Sequence, residues 1–383
     1  MRYSSSFARI ALVLALAVCG RAPPATAQQN PAGRGQAMRR APMLSPEVHP
    51  DRTVTFRLRA PKASAVTVSI EVGKPQEMTK DDNGVWSLTV GPLEPNLYDY
   101  SFNVDGLRII DPNNTNIKNA TTSLVLVPGD PPALEEVRDV PHGTVTMQWY
   151  ASKSVGVTRR IYVYTPPGYL KGEERYPVLY LLHGAGDDES GWTTVGHANL
   201  IMDNLLAEGE AKPAIIVMPL GHVPRPAAAS ADPAPDRARS TGLFEQDLLN
   251  DVIPLVESTY RVYADADHRA IAGLSMGGGQ SQSIGLNHPE LFAYVGVWSA
   301  GLARNPDTTF KRLLDEGDLS HKNLKLLWIG CGKQDGGFAN AQRLSEWMTN
   351  HGVKNTFRPS EGAHQWPVWR LYLGEFLPLL WRE

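Results

Sequence analysis

The chain has 383 residues, of which 42% are hydrophobic and 20% are charged, and its formal net charge is -3. This composition is typical of a globular protein with ample material for a core, and the length predicts two domains. Because no block of basic residues occurs, the charge pattern favours neither nucleic acid nor an anionic membrane surface as a partner.

The first 27 residues have the pattern of a signal peptide. Arginines precede the apolar run from Ile10 to Val18, which is too short to span a bilayer, and Ala25-Thr26-Ala27 has the small residues of a signal-peptidase site. We therefore expect export to the periplasm or the extracellular space, and no integral membrane segment in the mature chain. In the alternative interpretation, Leu16-Ala17-Val18-Cys19 is a lipoprotein box and Cys19 carries a lipid, although valine stands where a small residue is expected.

The next segments predict a leader, a small β domain and a connection. Residues 28–44 are rich in Gln, Pro, Ala, Gly and Arg without an apolar period, which predicts a disordered leader. Residues 45–127 contain short runs of alternating polar and apolar residues, which predict an all-β, immunoglobulin-like sandwich. Residues 128–142 are predicted to be a linker, since prolines and glycines break the pattern there. The clearest strand runs are Thr53–Leu58, Val66–Ile70, Val85–Val90 and Tyr98–Val104.

Residues 143–383 follow a different pattern, in which strand-like apolar runs alternate with helical segments. This alternation predicts an α/β fold with a mostly parallel sheet covered by helices, and the ligand site of such a sheet lies beyond the carboxyl ends of its strands. Apolar residues spaced four apart from Phe244 to Tyr260 predict a helix that Pro254 should bend. The predicted strands are Thr144–Tyr150, Thr158–Tyr164, Pro177–Leu182, Ala214–Met218, Ala270–Leu274, Val295–Trp298 and Leu324–Ile329.

Ser275 is the predicted nucleophile of this second domain. It lies in Gly273-Leu274-Ser275-Met276-Gly277, at the end of a predicted strand. The two glycines permit a sharp turn from strand to helix, which would expose Ser275 Oγ and direct the Met276 N–H at the group that this oxygen attacks. Such a pentapeptide is common by chance, so the prediction also needs a base, an acid and a second oxyanion donor.

His364 is the predicted base. It lies in a loop between a strand-like segment and the amphipathic last helix, whereas His288 and His351 have the sequence positions of helix-terminus residues. Order along the chain also favours His364, because the histidine of an α/β-hydrolase comes last.

Asp335 is the predicted acid, since it follows the strand ending at Ile329 and lies between the serine and the histidine. It would accept the His364 Nδ1–H, and so fix the tautomer of the ring and stabilise the imidazolium. Three other acidic residues of this interval lie in polar sequence and are predicted to be solvated: Asp307, Asp315 and Asp318.

The second oxyanion donor is predicted in His183-Gly184-Ala185-Gly186, where the N–H of Gly184 or Ala185 would act together with that of Met276. Neither a metal nor a cofactor is predicted, because no Cys/His cluster with ligand spacing occurs. Cys331 follows an apolar run and is predicted to be a buried thiol.

In their order, these motifs resemble those of the feruloyl and acetylxylan esterases of carbohydrate esterase family one and of the related enterochelin-esterase-like proteins. The resemblance implies an α/β-hydrolase fold with Ser275 as nucleophile, Asp335 as acid and His364 as base. Residues 45–127 resemble the early-set, glycogen-binding-like sandwich that precedes the catalytic domain in many of these esterases. The stretches that carry the resemblance are Tyr164–Tyr169, Leu181–Gly184, Gly273–Gly278, Gly330–Asp335 and Gly362–Trp366.

The resemblance implies a serine esterase that removes feruloyl-type (hydroxycinnamoyl) esters from plant cell-wall polysaccharide, so that the partner is an ester-substituted polysaccharide or oligosaccharide. Trp192 and Trp366 are candidates for flanking an aromatic acyl group, with packing in the core as an equal alternative. The enzyme alternatives are an acetylxylan esterase and an enterochelin-type siderophore esterase, which would favour a basic pocket. The non-enzyme alternative is a carbohydrate-binding protein with a vestigial hydrolase domain.

Overall fold

The computed structural model describes residues 43–224, 233–315 and 323–382. The predicted signal peptide, the lipidation alternative at Cys19 and nearly all of the predicted leader lie outside these residues. Met43 to Glu383 belong to one compact unit. In the described part of the chain, no helix is both long enough and apolar enough to cross a membrane.

Residues 47–127 form an all-β sandwich. Its described strands make two antiparallel sheets, ordered β1-β2-β6-β5 and β4-β3-β7-β10-β9, with β8 paired to β7. Phe56, Tyr100 and Phe102 are buried between the sheets, where their rings contact each other edge to face or tilted. The strands are β1 (Glu47–Val48), β2 (Val54–Arg59), β3 (Val66–Ile70), β4 (Gln76–Glu77), β5 (Thr79–Lys80), β6 (Val85–Val90), β7 (Asn96–Val104), β8 (Leu107–Ile109), β9 (Ile117–Asn119) and β10 (Thr122–Val127).

The segment 128–142 packs on the second part of the chain instead of crossing solvent. The buried Glu136 carboxylate accepts the N–H groups of Gly129 and Ala133, each at 2.8 Å. Asn204 donates to the carbonyls of Leu134 and Glu136. Because buried backbone groups need such partners, this predicted linker is a packed connection.

Residues 144–360 supply the described strands of one eight-stranded sheet, ordered β11-β12-β14-β13-β15-β16-β17-β18. The β11–β12 and β12–β14 pairs are antiparallel, and all the other pairs are parallel, which confirms the predicted α/β architecture. Each predicted strand overlaps an observed one. The strands are β11 (Thr144–Ser152), β12 (Val157–Thr165), β13 (Val178–Leu182), β14 (Ile215–Pro219), β15 (Arg269–Leu274), β16 (Tyr294–Trp298), β17 (Leu326–Gly332) and β18 (Thr356–Ser360).

Helices cover both faces of this sheet. The central strand β15 is buried at every position, so both of its faces need a covering layer. Ile271 of β15 joins the core on one face, whereas Ala270 and Ala272 join the core on the other. Leu97 and Leu124 of the sandwich pack into that second core, so the sandwich lies on the same face. The helices are α1 (Gly191–Thr194), α2 (Ala198–Ala207), α3 (Pro233–Asp247), α4 (Ile253–Thr259), α5 (Met276–Asn287), α6 (Pro306–Thr309), α7 (Lys311–Asp315), α8 (Phe338–Asn350) and α9 (Trp366–Phe376).

The predicted helix from Phe244 to Tyr260 is helical as far as Thr259, but it is not a regular α-helix throughout. Helix α3 ends at Asp247, a turn of π-helix spans Leu248–Val252, and α4 begins at Ile253. Pro254 has no N–H to donate, and it stands in the first turn of α4, directly after the π-helical residues. The regular hydrogen-bond ladder of the helix is thus interrupted by a wider turn directly before the proline.

Candidate active site

Ser275 stands between strand and helix, in a backbone conformation that is rare for a non-glycine residue. Its φ is 52° and its ψ is -111°, and its N–H donates to the Trp298 carbonyl of the neighbouring strand at 2.8 Å. The turn is tight, because a Cβ added to Gly273 would lie 2.6 Å from the Gly277 carbonyl carbon. A Cβ added to Gly277 would lie 2.6 Å from the Leu182 carbonyl oxygen. Packing thus holds the strained serine at the carboxyl end of β15.

His364 and Asp335 complete a chain of hydrogen bonds with this serine. His364 Nε2 lies 2.9 Å from Ser275 Oγ, and His364 Nδ1 lies 2.8 Å from Asp335 Oδ2. A carboxylate only accepts, so Nδ1 carries the proton and Nε2 is free to accept the serine hydroxyl. The His364 side chain is 43% exposed and that of Asp335 only 4%, so the predicted base faces the solvent and the predicted acid lies behind it.

Asp335 is held as a carboxylate by its surroundings. Burial by itself raises the pKa of this group, but donors outweigh it: His364, the Gly337 N–H at 2.8 Å and the Ser299 hydroxyl. The pKa of Asp335 therefore lies below its ordinary value. The acid accordingly stays ionised throughout the neutral and mildly acidic range.

Backbone ties between adjacent loops bring the acid and the base together. Asp335 follows β17 and His364 follows β18, and these strands are parallel neighbours. Between the two loops, Gln334 donates its N–H to the Gly362 carbonyl at 3.1 Å and accepts the Gly362 N–H on Oε1 at 2.6 Å. The relative position of acid and base is thus set by short hydrogen bonds.

His183 orients the loop that follows β13. The ring is buried, and burial lowers the pKa of His183 to about 4. Its Nε2 accepts the Gly221 N–H at 2.9 Å, so the proton lies on Nδ1, which donates to the Gly184 carbonyl at 2.8 Å. In the trans peptide that joins Gly184 to Ala185, the N–H points away from that carbonyl. His183 therefore fixes the direction of the Ala185 N–H.

A buried ion pair supports the other side of His183. Arg159 contacts Asp247 through Nε at 3.0 Å, and both side chains are almost fully buried. The same guanidinium donates to the carbonyls of Leu220 and His222, the two neighbours of Gly221. Arg159 thus fixes the peptide groups on either side of Gly221, whose N–H donates to His183 Nε2.

The predicted oxyanion donors have no acceptor within the described residues: none is bonded to the N–H of Gly184, Ala185 or Met276. Gly184 lies beside the serine, since a Cβ added to it would be 3.6 Å from Ser275 Cβ. Unpaired amide donors next to an exposed serine are the arrangement that binds a developing oxyanion.

Ser275 and His364 open into a cavity of about 480 Å³. The hydrolase part of the chain lines it with the loop 184–187, Leu274, Gln365, Trp366 and Trp369. Glu71, Asp99 and Lys118 of the sandwich line the opposite side, which sequence reasoning missed. No motif marks these three residues, because only the packing of the sandwich on the hydrolase part brings them to Ser275.

The sandwich side of the cavity carries opposite charges at close range. Lys118 Nζ lies 3.5 Å from Asp99 Oδ2 and 3.3 Å from Asp187 Oδ1, and it stands 5.8 Å from the centre of the Trp366 ring. Burial raises the pKa of Asp187, which Lys118 opposes. Burial and then the Asp99 charge raise the pKa of Glu71 to about 7. Glu71 and Asp99 of the sandwich and Asp187 of the loop 184–187 thus give this wall three carboxyl groups beside one ammonium group, so it is polar and acidic.

The two tryptophans predicted to flank substrate differ in position. Trp366 lines the cavity, although only 1% of its surface is exposed. Trp192 is also 1% exposed, but it lies behind Trp366, with ring centres 5.1 Å apart, and its Nε1 donates to the Leu182 carbonyl. The expectation for Trp192 is therefore corrected, because its indole belongs to the core beneath the site. Trp369, whose ring stands edge-on to His364 at 5.1 Å, was missed.

Other residues occupy their predicted places. His288 and His351 stand at the C-terminal ends of α5 and α8. Cys331 is fully buried, and burial raises the pKa of its thiol to about 12, so that it stays protonated.

Comparison with known proteins agrees with the fold. The family described as putative esterase matches residues 152–380, which is more than half of the chain. A protein named endo-1,4-beta-xylanase/feruloyl esterase from Xylanibacter ruminicola is 33% identical over 348 residues, which are 88% of this chain and 46% of that protein. The chain spans about half the length, or less, of the curated relatives it matches.

Among solved structures, a CE1 ferulic acid esterase from Anaeromyces mucronatus is similar with 25% identity and a TM-score of 0.54, over 64% of this chain and 93% of that one. The enterobactin esterase of Shigella flexneri shares the fold, with 21% identity and a TM-score of 0.62 over 86% of this chain and 93% of that one. The chain thus belongs to the esterase family, and its second part is an α/β-hydrolase domain of the kind found in CE1-like carboxylic ester hydrolases.

Proposed function

We propose that this protein is a serine esterase that hydrolyses feruloyl-type esters on plant cell-wall polysaccharide. The observation that carries the proposal is the chain of hydrogen bonds from Ser275 through His364 to Asp335 at the floor of an open cavity. The feruloyl esterases among its relatives support the acyl group.

In the proposed reaction, Ser275 Oγ attacks the ester carbonyl carbon while His364 Nε2 takes the hydroxyl proton. The carbonyl oxygen becomes an oxyanion, which accepts the N–H of Met276 and that of Ala185 or Gly184. Collapse of this intermediate expels the alcohol, which leaves with the proton from His364. Water, deprotonated by the same nitrogen, then attacks the acyl-enzyme and releases the acid and the free serine.

The charge of the cavity supports a carbohydrate as the alcohol part of the ester. Sugar hydroxyl groups can donate to Asp99 and accept from Lys118. An anionic catechol siderophore would meet three carboxyl groups there and one ammonium group, so the acidic wall argues against the siderophore alternative. A volume of about 480 Å³ is in the range of ordinary ligand sites and leaves room for an aromatic acyl group.

A second, smaller depression of about 150 Å³ adjoins the cavity. Lys118, Gly186 and Asp187 line both, so the two meet at the Lys118–Asp187 ion pair. A chain of several sugars bound to the ester can continue past this pair. This continuity supports an oligosaccharide or polysaccharide over a small alcohol.

The decisive experiment compares the wild type with Ser275→Ala on methyl ferulate, acetylated xylan and a catechol siderophore ester. We expect wild-type turnover to be fastest on methyl ferulate, and we expect the variant to lose about 10⁴-fold or more of kcat. Ser283→Ala is the matched control, because Ser283 lies in the helix that follows Ser275 but outside the cavity. Wild-type turnover by Ser275→Ala would overturn the mechanism, and preference for another ester would overturn the substrate.

Labelling by a fluorophosphonate separates the enzyme from the alternative of a vestigial hydrolase domain. We expect rapid covalent labelling of the wild type and none of Ser275→Ala, because only an activated serine reacts. A wild type that resists labelling would favour a carbohydrate-binding role.

We also propose export, on the pattern of residues 1–27. Mass spectrometry of the mature protein should find Gln28 at its N-terminus. A lipid on Cys19 would show the alternative route instead.

A further inference from the structure

The helix that follows His364 begins without a cap of its own. Trp366 is the first residue of α9, and Gln365 before it makes no capping hydrogen bond with its side chain. The N–H groups in the first turn of a helix need acceptors from elsewhere. For Trp366 this acceptor is Glu71 Oε1 of the sandwich, at 3.0 Å. The other domain therefore caps the helix.

Glu71 is itself held in place by the sandwich. It directly follows β3, and its N–H donates to the Asp99 carbonyl of β7 at 2.9 Å. Its second carboxyl oxygen accepts the Asp99 N–H at 3.5 Å. The sheet thus presents the carboxyl group to the helix from a backbone position that is fixed by hydrogen bonds.

A second contact ties α9 to the same strand. Arg370, one turn after Trp366, is buried and donates to the Asn96 side chain and to the Leu97 carbonyl of β7. Glu71 and Arg370 together set where α9 starts relative to the sandwich. His364 lies only two residues before that start, and its ring must stay within 2.9 Å of Ser275 Oγ.

We infer that Glu71 is a positioning residue for His364, acting through the capped start of α9. This inference rests on the proposed function, because it assigns Glu71 a part in the reaction of Ser275. The part is geometric: the carboxyl oxygen must reach the Trp366 N–H, whereas its charge is not required. Catalytic geometry in the hydrolase domain then depends on a side chain of the sandwich.

The inference is tested by substitutions of Glu71 that change either the length of its side chain or its charge, but not both. Glu71→Gln keeps the length of the side chain and an acceptor oxygen, whereas Glu71→Asp keeps the charge but is one methylene shorter. With methyl ferulate we expect kcat to fall about tenfold in Glu71→Asp and Glu71→Ala with KM little changed, since small displacements of a catalytic group slow the reaction. Glu71→Gln should restore kcat to within about twofold of the wild type.

Glu77→Gln is the matched control for removing a carboxylate, because Glu77 is an exposed residue of β4. Amide hydrogen exchange supplies a second readout: Trp366 should lose protection in Glu71→Asp and keep it in Glu71→Gln. If the melting temperature shows that Glu71→Ala does not fold, the comparison of Glu71→Gln with Glu71→Asp still tests whether Glu71 positions His364.

The opposite pattern, in which Glu71→Asp is active and Glu71→Gln is not, would show an electrostatic role and overturn the inference. Equal kcat in all variants would overturn it too, as would a loss confined to KM. A wild type inactive on every ester would instead contradict the proposed function. In that case the exchange of the Trp366 amide still tests the contact with Glu71.

Discussion

The two sides of the cavity differ in how their side chains are held and in what they can do. On the hydrolase side, Ser275, Asp335 and His364 follow parallel strands and are tied by backbone hydrogen bonds of neighbouring loops. On the sandwich side, Glu71, Asp99 and Lys118 line the cavity opposite Ser275, and their contacts are mostly with each other and with the loops of the hydrolase side.

This difference predicts two kinds of effect. Changes on the hydrolase side should slow the chemical step with every ester, because they alter the reacting groups or their direct partners. Changes on the sandwich side should act on substrate binding, on the position of His364 or on the free energy of unfolding. The size of each effect should depend on the alcohol part of the ester or on pH. This distinction is wrong if substituting a sandwich residue lowers kcat on methyl ferulate as much as substituting Ser275, Asp335 or His364 does.

After the loss of the nucleophile in Ser275→Ala, the largest effect is expected for Asp335→Asn. An asparagine can donate to His364 Nδ1, which would favour the tautomer with its proton on Nε2 and remove the acceptor of the serine proton. We expect kcat/KM on methyl ferulate to fall about 10³–10⁴-fold without loss of fold.

Asp307→Asn is the control for this change, because Asp307 also lies between the serine and the histidine but is an exposed residue of α6. It should keep wild-type rates. A loss smaller than about tenfold in Asp335→Asn would show that another acid supports His364.

A smaller loss is expected for His183→Ala, which frees the Gly184–Ala185 peptide. Losing an oxyanion donor costs on the order of a hundredfold, and a misdirected one should cost less, about tenfold to a hundredfold in kcat. Because the pKa of His183 is about 4, the ring stays neutral above pH 5, so the ratio of wild-type to variant rates should not change between pH 5 and 8. His351→Ala, at the end of α8, is the control.

Lys118→Ala tests the polar wall. We expect KM for a feruloylated oligosaccharide to rise about two- to fivefold, since a partly exposed ammonium contributes about 0.5–1 kcal/mol to such contacts. KM for methyl ferulate should change less, because this ester has no sugar to meet the wall. Lys62→Ala, an exposed lysine of the sandwich, should change neither value. Equal effects on both esters would place Lys118 outside sugar binding.

The smallest effect is on stability, and it depends on pH. The pKa of Glu71 rises from 4.5 to about 7 on folding, because of burial and then the Asp99 charge, against the opposing charge of Arg370. The folded state therefore binds more protons than the unfolded state between these values, and the free energy of unfolding should fall as pH rises through this window, by about 1–3 kcal/mol.

Glu71→Gln should remove this dependence, so that the variant gains melting temperature relative to the wild type between pH 5 and pH 7. Glu77→Gln should keep a constant difference from the wild type. Parallel curves for the wild type and Glu71→Gln would show that Glu71 does not take up a proton on folding.

Much of the site could be predicted because its parts follow strands of a parallel sheet. Apolar runs mark β13, β15 and β17, and the residues just after them share one edge of the sheet. This reasoning led to Ser275, Asp335 and the His183–Ala185 turn, and the structure brings the serine, His364 and the acid within hydrogen-bond distance. Their catalytic roles stay a proposal.

Local pattern could not separate a tryptophan that lines a cavity from one that lies behind it. Trp192 and Trp366 are both apolar residues next to predicted site loops, and both are 1% exposed. Which of them borders the cavity follows from the packing of α1 against α9. The π-helical turn before Pro254 was missed for a related reason, since apolar spacing does not show how a helix accommodates a missing N–H donor.

The sequence by itself determined the α/β class of the second part, the proposed order of nucleophile, acid and base, and the β-rich character of the first part. Each of these depends on residues that are close in the chain, whose periodicity and turns can be read directly. Only the tertiary structure decided that Glu71, Asp99 and Lys118 face Ser275. These residues lie more than a hundred positions from Ser275 in the chain, and no local period records which surfaces of the sandwich and of the second part will meet.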